Sequence, residues 1–358
     1  MSDLPILHYH AGPDFTLASG ELLAAPLTAY RSMGRLNAEG TNAVLVLHGY
    51  TTGPTMLDPD ANVAEGSWSE LVGPGKPIDT DRWFVVCPNM LGSCYGSTGP
   101  ASLDPATGQP YGPAFPDLAL ADIVGVQKQL LDALGVKRLA AVTGPSFGSY
   151  QAFQWAVSHP DMVERVVAAV GAPYHPAPPG AARAILDGLA RDPGWDAWCA
   201  GDRDALFGRL VAMRTDTLER YGVDAELAPR FPDRAERAQE IGRLAREWAG
   251  AFEPMSLVVL MRAAESFDLR GRLGAIRAPV LYVLSRTDPV FSPQLAARVA
   301  QLPGTGGWSY VELDSDKGHF ASGADAALWA EDLRRFMNTE PADWAPLGFK
   351  QRDKEVAA

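Results

Sequence analysis

Ser146 lies between two glycines in the stretch GPSFG, residues 144 to 148. An apolar run precedes this stretch and a helical pattern follows it, so the serine is predicted at a strand-to-helix turn. Such a turn strains the backbone, and flanking glycines remove side chains that would collide with neighbouring segments. An ordinary turn is the plainer interpretation, since Gly and Ser are common turn residues. The context favours a nucleophile elbow, which makes Ser146 the candidate nucleophile.

A serine hydroxyl is a weak nucleophile, so it needs a base and a carboxylate that orients the base. Behind such an elbow the expected order along the chain is serine, acid, histidine. His319 follows the last predicted strand and is the candidate base. Asp288 ends a predicted strand and is favoured as the acid. Asp314 and Asp316 remain alternatives because they are close to the histidine in sequence.

Developing negative charge on the substrate oxygen needs backbone N–H donors. Phe147 follows the serine directly, and its amide would lie at a helix N-terminus. The second donor is expected from the loop HGYTTG at 48–53, most plausibly the amide of Tyr50. His48 opens this loop and is expected to shape it rather than to titrate in the reaction.

The remaining histidines have simpler interpretations. His8 and His10 could share a strand face, but two ligands without a third make a weak metal site, so no metal is expected. His159 comes just before a proline at a helix end, where a capping role is expected. His175 belongs to the proline-rich stretch PYHPAPPG and is expected to face solvent.

Short β-branched runs alternate with helical patterns through much of the chain. Strands separated by helices predict a parallel sheet with helices on both faces. The fold class is therefore α/β, with a mostly parallel central sheet. The predicted strands are 42–50, 82–89, 139–144, 163–171, 278–288 and 308–314, and the predicted helices include 117–135, the segment after the elbow, and 325–338.

The strand pattern is interrupted by a helix-prone segment rich in tryptophan and arginine. One α/β domain with a helical lid inserted into it explains this order economically. The predicted parts are a first core segment 1–171, a lid 172–266 and a second core segment 267–358. Three lid tryptophans are expected to pack the core of the lid rather than to line an acyl pocket: Trp195, Trp198 and Trp248.

Composition limits the function classes. A net charge of -12 disfavours nucleic acid and anionic membrane surfaces as partners, because both require a basic footprint. No apolar run approaches the ~20 residues of a membrane-spanning helix. The chain opens without an apolar signal-like run, and its cysteines, Cys87, Cys94 and Cys199, have no metal-like spacing. We therefore expect a cytoplasmic protein whose cysteines serve packing, and a thiol mechanism at Cys94 has little support.

The longest distinctive stretch, LVGPGKPIDTDRWFVVCPNMLGSCYGSTGPASLDPATGQPYGPAFP at 71–116, resembles the homoserine O-acetyltransferases of the α/β-hydrolase fold. The elbow, HGYTTG and SRTDPVFSP match that family in the same order. The resemblance implies Ser146 as the acyl-accepting nucleophile, His319 as base and Asp288 as acid. It implies no bound cofactor, acyl-CoA as co-substrate, and a lid that also helps to build a homodimer.

Two positions depart from the family pattern. The family has an aspartate after the catalytic histidine, where this chain has Phe320, and a lid arginine that aligns here with Leu186. Arg183 or Arg191 could compensate for that arginine. The candidate substrate-binding residues are therefore Thr52 in the HGYTTG loop, Arg183 and Phe320.

Loss of both ionic contacts would weaken homoserine binding, which favours water or a less polar alcohol as acyl acceptor. The leading hypothesis is a serine hydrolase that acts on a small-molecule carboxylic ester or acyl thioester. The alternative is an acyl-CoA-dependent O-acetyltransferase acting on a small alcohol. A remote alternative is a binding protein without activity on the same fold.

Overall fold

The central element is an eight-stranded sheet, seen in a computed structural model that describes residues 6–59, 61, 66–346 and 348–349. The ends of the predicted core segments, 1–5 and 350–358, lie outside the described residues. In chain order the strands are β1 Leu7–Ala11, β2 Phe15–Thr16, β3 Leu22–Leu23, β4 Leu27–Met33, β5 Ala43–Val46, β6 Val72–Gly73, β7 Ile78–Asp79, β8 Phe84–Pro88, β9 Leu139–Pro145, β10 Val166–Ala169, β11 Val280–Ser285 and β12 Trp308–Leu313.

From β8 onward, α-helices alternate with the strands of the sheet, as expected for an α/β protein. In chain order they are α1 Leu120–Ala133, α2 Phe147–Ser158, α3 Ala181–Ala190, α4 Trp195–Cys199, α5 Phe207–Tyr221, α6 Val223–Leu227, α7 Arg234–Ala251, α8 Pro254–Glu265, α9 Gln294–Val299, α10 Ala321–Ala324 and α11 Ala330–Asn338.

The strand order in the large sheet is β1-β4-β8-β5-β9-β10-β11-β12. Within this sheet β4 alone runs against the others, since it pairs antiparallel with both β1 and β8. All the other pairings are parallel. The carboxyl ends of β9, β10, β11 and β12 therefore meet at one edge of the sheet. Loops that follow these strands can converge there, as in other open parallel sheets.

Both faces of the sheet are buried, which explains the uninterrupted apolar runs of the central strands. Along β5, Val44 and Val46 contribute to one apolar core together with helix α11. Leu45 and the following Leu47 contribute to the other core, with α1 and α2. Alternating side chains of one strand thus serve two layers of helices.

The six predicted strands correspond to β5, β8, β9, β10, β11 and β12, and the predicted fold class is confirmed. The two remaining strands of the sheet, β1 and β4, were not predicted. β1 is mostly exposed, so it lacks the apolar run that marked the central strands. The short pairs β2–β3 and β6–β7 lie outside the large sheet.

Helices α3 to α8 occupy the segment predicted as a lid. Three small apolar clusters pack these helices against one another. The rings of Trp195 and Trp198 stack at 5.2 Å beside one such cluster. Glu253 is the N-cap of helix α8. Its carboxylate accepts hydrogen bonds from the N–H groups of Met255 (2.9 Å) and Ser256 (2.6 Å). The division of the chain at 172 and 266 remains a prediction.

Candidate active site

Ser146 occupies the sharp turn between β9 and α2. Its backbone has φ 56° and ψ -120°, a conformation that non-glycine residues rarely adopt and that stores about 1–3 kcal/mol of strain. The turn is held by the Ser146 N–H, which donates to Ala169 O at 2.9 Å, and by Ser149 Oγ, which donates to Ser146 O at 2.7 Å. The side chain is 7% exposed.

The two flanking glycines permit a close approach of the neighbouring strand. A Cβ atom added at Gly144 would lie 2.2 Å from the carbonyl oxygen of Leu47, and one at Gly148 would lie 2.1 Å from the same oxygen. Neither distance is physically possible, so the chain after β5 can pass the elbow only because both residues lack side chains.

His319 and Asp288 form a buried pair. Nδ1 of the imidazole lies 2.8 Å from Oδ2 of the carboxylate, and both side chains are fully enclosed. The other carboxylate oxygen accepts hydrogen bonds from the N–H groups of Val290 (2.8 Å) and Phe291 (3.1 Å), which fixes its orientation. A carboxylate held in this way can orient an imidazole so that its second nitrogen serves as a base.

The elbow and this pair belong to the same edge of the sheet, because Ser146 follows β9, Asp288 follows β11 and His319 follows β12. Aromatic rings connect them. The ring of Phe291 lies 5.8 Å from the His319 imidazole and 6.0 Å from the ring of Tyr150 in the first turn of α2. The three residues predicted as catalytic therefore follow strands that end together.

The rival acids have other partners. Asp314 and Asp316 both form ion pairs with Arg286, the latter at 2.8 Å, and their side chains are largely exposed. The Arg286 guanidinium stabilises both carboxylates at the surface, away from the buried imidazole. Among the three candidates, Asp288 alone is hydrogen-bonded to His319 in the described contacts.

The predicted oxyanion residues are adjacent. The rings of Tyr50 and Phe147 stack at 6.2 Å, and Phe147 is the first residue of α2, where N–H groups have no acceptor within the helix. The phenol of Tyr50 donates to Leu257 O in α8, and burial raises the pKa of this phenol well above its usual value. The ring is thereby fixed beside the elbow.

His48 shapes the loop that carries Tyr50. Its Nδ1 lies 2.9 Å from Gly49 O, and its Nε2 accepts a hydrogen bond from the Met90 N–H at 3.1 Å. Complete burial lowers the pKa of His48 from 6.5 to about 4, although its hydrogen bonds to Gly49 and Asn89 oppose the shift. The imidazole is therefore neutral at pH 7, as expected for a structural residue.

The buried arginine Arg214 is not among the residues predicted from the sequence. This residue of α5 is 1% exposed, and its Nη1 donates to Thr51 Oγ1 in the HGYTTG loop at 2.9 Å. Its guanidinium also lies 5.0 Å from the ring centre of Trp248. A charge is rarely buried without a function or a partner. The detectable signal was its place between Leu210 and Leu218, the other buried positions of α5 at intervals of four.

The predicted substrate-binding residues lie in different surroundings. The hydroxyl of Thr52 is buried and donates to Gly49 O at 3.3 Å. Arg183 lies on the exposed side of α3 and forms an ion pair with Asp187 at 2.7 Å. Phe320 is buried in an apolar cluster with lid residues of α5, α6 and α7. The structure does not group these three side chains, and their roles remain predictions.

The structure agrees with the expectation for His159 but not with that for His175. His159 ends α2 as predicted, with its N–H donating to Trp155 O. His175 does not face solvent; it is half-buried, with Nδ1 3.2 Å from the Tyr150 hydroxyl. Its ring packs edge-on against the ring of Tyr150, with 6.3 Å between the ring centres. Trp248 reaches beyond the lid, since its indole donates to Thr51 O at 3.0 Å.

The part of the chain that the structure describes contains no group of three His, Cys, Asp or Glu residues that could hold a metal ion. Within the same residues, no helix combines the length and the apolar character needed to cross a bilayer. Burial raises the pKa of the Cys94 thiol to about 12, so this side chain is protonated at neutral pH and a poor nucleophile.

A cleft of about 570 Å³ lies between the loop around Cys94 and the lid. It is lined in part by Trp198, Phe207 and Phe252. Ser146, Asp288 and His319 are not among its lining residues. The aromatic residues Phe252 and Trp248, whose rings stack at 4.4 Å, stand between this cleft and the HGYTTG loop.

Known proteins share both the sequence and the fold. The family model of the alpha/beta hydrolase fold matches residues 42–324. A homoserine O-acetyltransferase of Symbiobacterium thermophilum is 36% identical over 355 residues, with 91% of this chain and 92% of that protein covered. The chain belongs to the homoserine O-acetyltransferase-like family of α/β-hydrolases. Both similarities support an acyl-transfer enzyme of the α/β-hydrolase fold.

Two further proteins similar to this chain bear on the reaction that it catalyses. An L-serine/homoserine O-acetyltransferase of Streptomyces lavendulae is 34% identical, with 91% of this chain and 95% of that protein covered. The crystal structure of esterase E22 superposes with a TM-score of 0.82 at 26% identity, with 94% of this chain and all of that chain covered. The expectation of hydrolysis is thus less well supported than the alternative, O-acetyl transfer.

Proposed function

We propose that the protein is an O-acyltransferase that moves an acetyl group from acetyl-CoA to the hydroxyl of a small alcohol bearing a carboxylate. The observation that carries the proposal is the enclosed Asp288–His319 hydrogen bond at the sheet edge where the elbow serine lies. Full-length similarity to O-acetyltransferases supports transfer as the outcome.

In the first half-reaction, Ser146 Oγ attacks the thioester carbonyl while His319 accepts its proton. The amides of Tyr50 and Phe147 stabilise the negative charge on the carbonyl oxygen. The C–S bond then breaks, the proton passes from the imidazolium to the departing sulfur, and the acetyl group remains as an ester on the serine. Asp288 stabilises the imidazolium throughout by its hydrogen bond to Nδ1.

In the second half-reaction, the acceptor hydroxyl attacks this ester and gives its proton to the neutral imidazole. The serine leaves with that proton, and the acetylated alcohol is released. Water can take the place of the acceptor by the same steps, which makes the enzyme a hydrolase of the thioester, or an esterase where an ester is the acyl donor. Similarity to esterase E22 supports hydrolysis as the second candidate activity.

Arg214 supports a carboxylate on the acceptor. Its buried guanidinium adjoins Thr51, the neighbour of Tyr50 in the oxyanion loop. A guanidinium can bind a carboxylate through two parallel hydrogen bonds, and such bonds are strongest where water is excluded. We therefore assign to Arg214 the carboxylate contact for which Arg183 and Arg191 were the candidates by sequence.

The proposal is tested by mixing the enzyme with acetyl-CoA and one acceptor at a time: homoserine, serine, 4-hydroxybutyrate or 1-butanol. Thiol release and the acetylated product are measured together. We expect acetylated product with the carboxylate-bearing alcohols and little with 1-butanol. Thiol release accompanied by free acetate alone, whatever acceptor is present, would establish hydrolysis instead.

Replacement of the buried arginine tests the acceptor class. Arg214→Gln should raise KM for a carboxylate-bearing acceptor about 10- to 100-fold, because a charge-assisted contact of about 1.5–3 kcal/mol is lost. The KM for acetyl-CoA serves as the internal control and should change less than threefold. Equal changes in both constants would indicate general damage to the site rather than loss of a carboxylate contact.

A further inference from the structure

Lys317, two residues before His319, joins three segments of the chain. Its Nζ lies 2.7 Å from Glu226 Oε2 on lid helix α6 and 2.9 Å from Asp325 Oδ1, which follows α10. The same ammonium also donates to Ala324 O at 3.3 Å. One side chain thus connects the lid, the loop that carries the histidine and the turn that follows it.

The backbones of the lid and the histidine loop touch beside this ion pair. A Cβ atom added at Gly318 would lie 2.6 Å from Tyr221 O, and one at Gly222 would lie 3.1 Å from Lys317 O. Both glycines have positive φ, 57° and 97°. The corner between α5 and α6 therefore rests directly on the loop.

This corner, Tyr221–Gly222, covers the catalytic base. The ring of Tyr221 meets the His319 imidazole edge-on, with 4.6 Å between the ring centres. Phe320, the next residue, is buried among apolar side chains of α5, α6 and α7. Movement of the corner away from the core would expose the imidazole to water.

The histidine loop has its own attachment to the core, independent of the lid. The Gly318 N–H donates to Thr287 Oγ1 at 3.1 Å, and Thr287 Oγ1 donates to Ser315 O at 2.9 Å. Ser315 Oγ donates to Asp325 Oδ2 at 2.5 Å. Removal of the Glu226 charge should therefore loosen the Tyr221–Gly222 corner of the lid and leave the loop in place.

The ion pair is better protected than most pairs at the surface. The side chains of Lys317, Glu226 and Asp325 are 25%, 35% and 24% exposed, so each is largely withdrawn from water. Burial lowers the pKa of Lys317, but the two carboxylates outweigh this effect and raise the pKa overall. The ammonium is therefore charged wherever an imidazole is a useful base.

We propose that Lys317 is a positioning residue that, together with Glu226, holds the Tyr221–Gly222 corner over His319 and so limits attack by water on the acylated serine. The inference rests on the proposed function. Attack by water converts the serine ester into free acetate and serine, whereas attack by the alcohol yields a new ester and serine. The ion pair thus favours transfer over hydrolysis.

The test compares two charge-removing variants on the same short helix. Glu226→Gln breaks the contact with Lys317, whereas Asp224→Asn, the matched control, breaks a contact of equal length within the lid, 2.7 Å to Arg237. The acetate formed per acetylated alcohol is measured with acetyl-CoA at a fixed acceptor concentration. We expect this ratio to rise about three- to tenfold in Glu226→Gln and less than 1.5-fold in Asp224→Asn.

Conservative replacement of the lysine separates its charge from general packing. Lys317→Met should reproduce the change of Glu226→Gln, whereas Lys317→Arg should restore most of the wild-type ratio. Ratios that agree within 1.5-fold for wild type, Glu226→Gln and Lys317→Met would overturn the inference. If either of those variants does not fold, the ratio of the wild type is compared in 0.05 and 0.5 M salt. A functional ion pair makes the ratio rise with salt, and a ratio that does not change with salt would overturn the inference.

Failure of the proposed function gives a different result. A fluorophosphonate probe labels an activated serine without any acceptor, so its rate of reaction at Ser146 reports the activation of the serine and the access to it, independently of the acceptor. No labelling of the wild type would contradict the proposed function. Glu226→Gln should be labelled at least threefold faster than wild type. Labelling at equal rates in wild type, Glu226→Gln and Asp224→Asn would contradict only the role of the Lys317–Glu226 pair.

Discussion

At the scale of single residues, the enclosed contact between Asp288 and His319 defines the chemistry that the site can perform. Nδ1 of the imidazole faces the carboxylate, which leaves Nε2 for proton exchange with a hydroxyl. The carboxylate is itself fixed by two backbone N–H groups, so its orientation does not depend on the substrate. Such preorganisation lowers the barrier because the groups need not rearrange during the reaction.

Loss of the nucleophile should abolish this chemistry. Ser146→Ala is expected to lower turnover roughly 10⁴-fold or more, because members of a triad act as a unit. Asp288→Asn should reduce turnover less, since the base is still present but poorly oriented. Turnover is measured with acetyl-CoA and the best acceptor, and circular dichroism verifies the fold. A Ser146→Ala enzyme within tenfold of the parent would refute the assignment.

Residue types and order were sufficient to predict which side chains follow which strands. The sequence favours Asp288 because it ends a predicted strand; the structure ends β11 at Ser285 and pairs Asp288, in the loop that follows, with His319. Arg214 could not be found in this way, because its importance arises from burial against Thr51, a contact between segments far apart in sequence. Patterns in a sequence report periodicity, whereas this contact depends on how the lid packs on the core.

At the scale of elements, the elbow depends on the absence of two side chains. The strand–turn–helix unit could be predicted because apolar runs and glycines are local signals. Strands β1 and β4 could not: β1 forms the edge of the sheet and is mostly exposed, and β4 beside it is only partly buried, so neither has the continuous apolar run of the central strands. The lid helices were expected as helical, but their packing on the HGYTTG loop was not.

A methyl group at the elbow should disrupt the site. Gly148→Ala would place a Cβ 2.1 Å from Leu47 O, so either the strand or the helix must move. We expect a loss of about 1–3 kcal/mol in unfolding free energy and at least a 100-fold loss of activity. Both are measured by denaturant unfolding and by the transfer assay.

The matched control is a glycine in a helix with free space around it. Gly208 in α5 has no atom within 4 Å of an added Cβ. Gly208→Ala should therefore retain full activity and increase stability by up to about 1 kcal/mol. Similar losses in both variants would show that the elbow is not specially crowded.

At the scale of the whole molecule, buried ionisable groups make stability depend on pH. The pKa of His48 falls from 6.5 to about 4 on burial. As the pH is lowered, this imidazole therefore takes up its proton in the unfolded chain before it does so in the folded protein. Its contribution is present above pH 6.5 and is lost as the pH falls toward 4, by about 3 kcal/mol. Burial raises the pKa of Glu253 to about 6, which acts in the opposite direction between pH 4.5 and 6.

Comparison with a variant separates the effect of His48 on the pH dependence of stability from that of Glu253. His48→Gln retains groups that can bond to Gly49 O and the Met90 N–H but cannot titrate. Urea unfolding is measured at several pH values from 7.5 to 4. The stability advantage of the wild type should shrink by about 3 kcal/mol over this range. A constant difference between the two proteins would contradict the role assigned to His48.

The order of the strands also bears on the folding of the molecule. In the proposed mechanism the nucleophile follows β9 and its base follows β12, the last strand of the sheet, so we expect no turnover before β12 has joined the sheet. Parallel pairing between distant segments is slow. After dilution from denaturant, recovery of activity should therefore lag behind the return of helical circular dichroism, and enzyme assays will report the last stage of refolding.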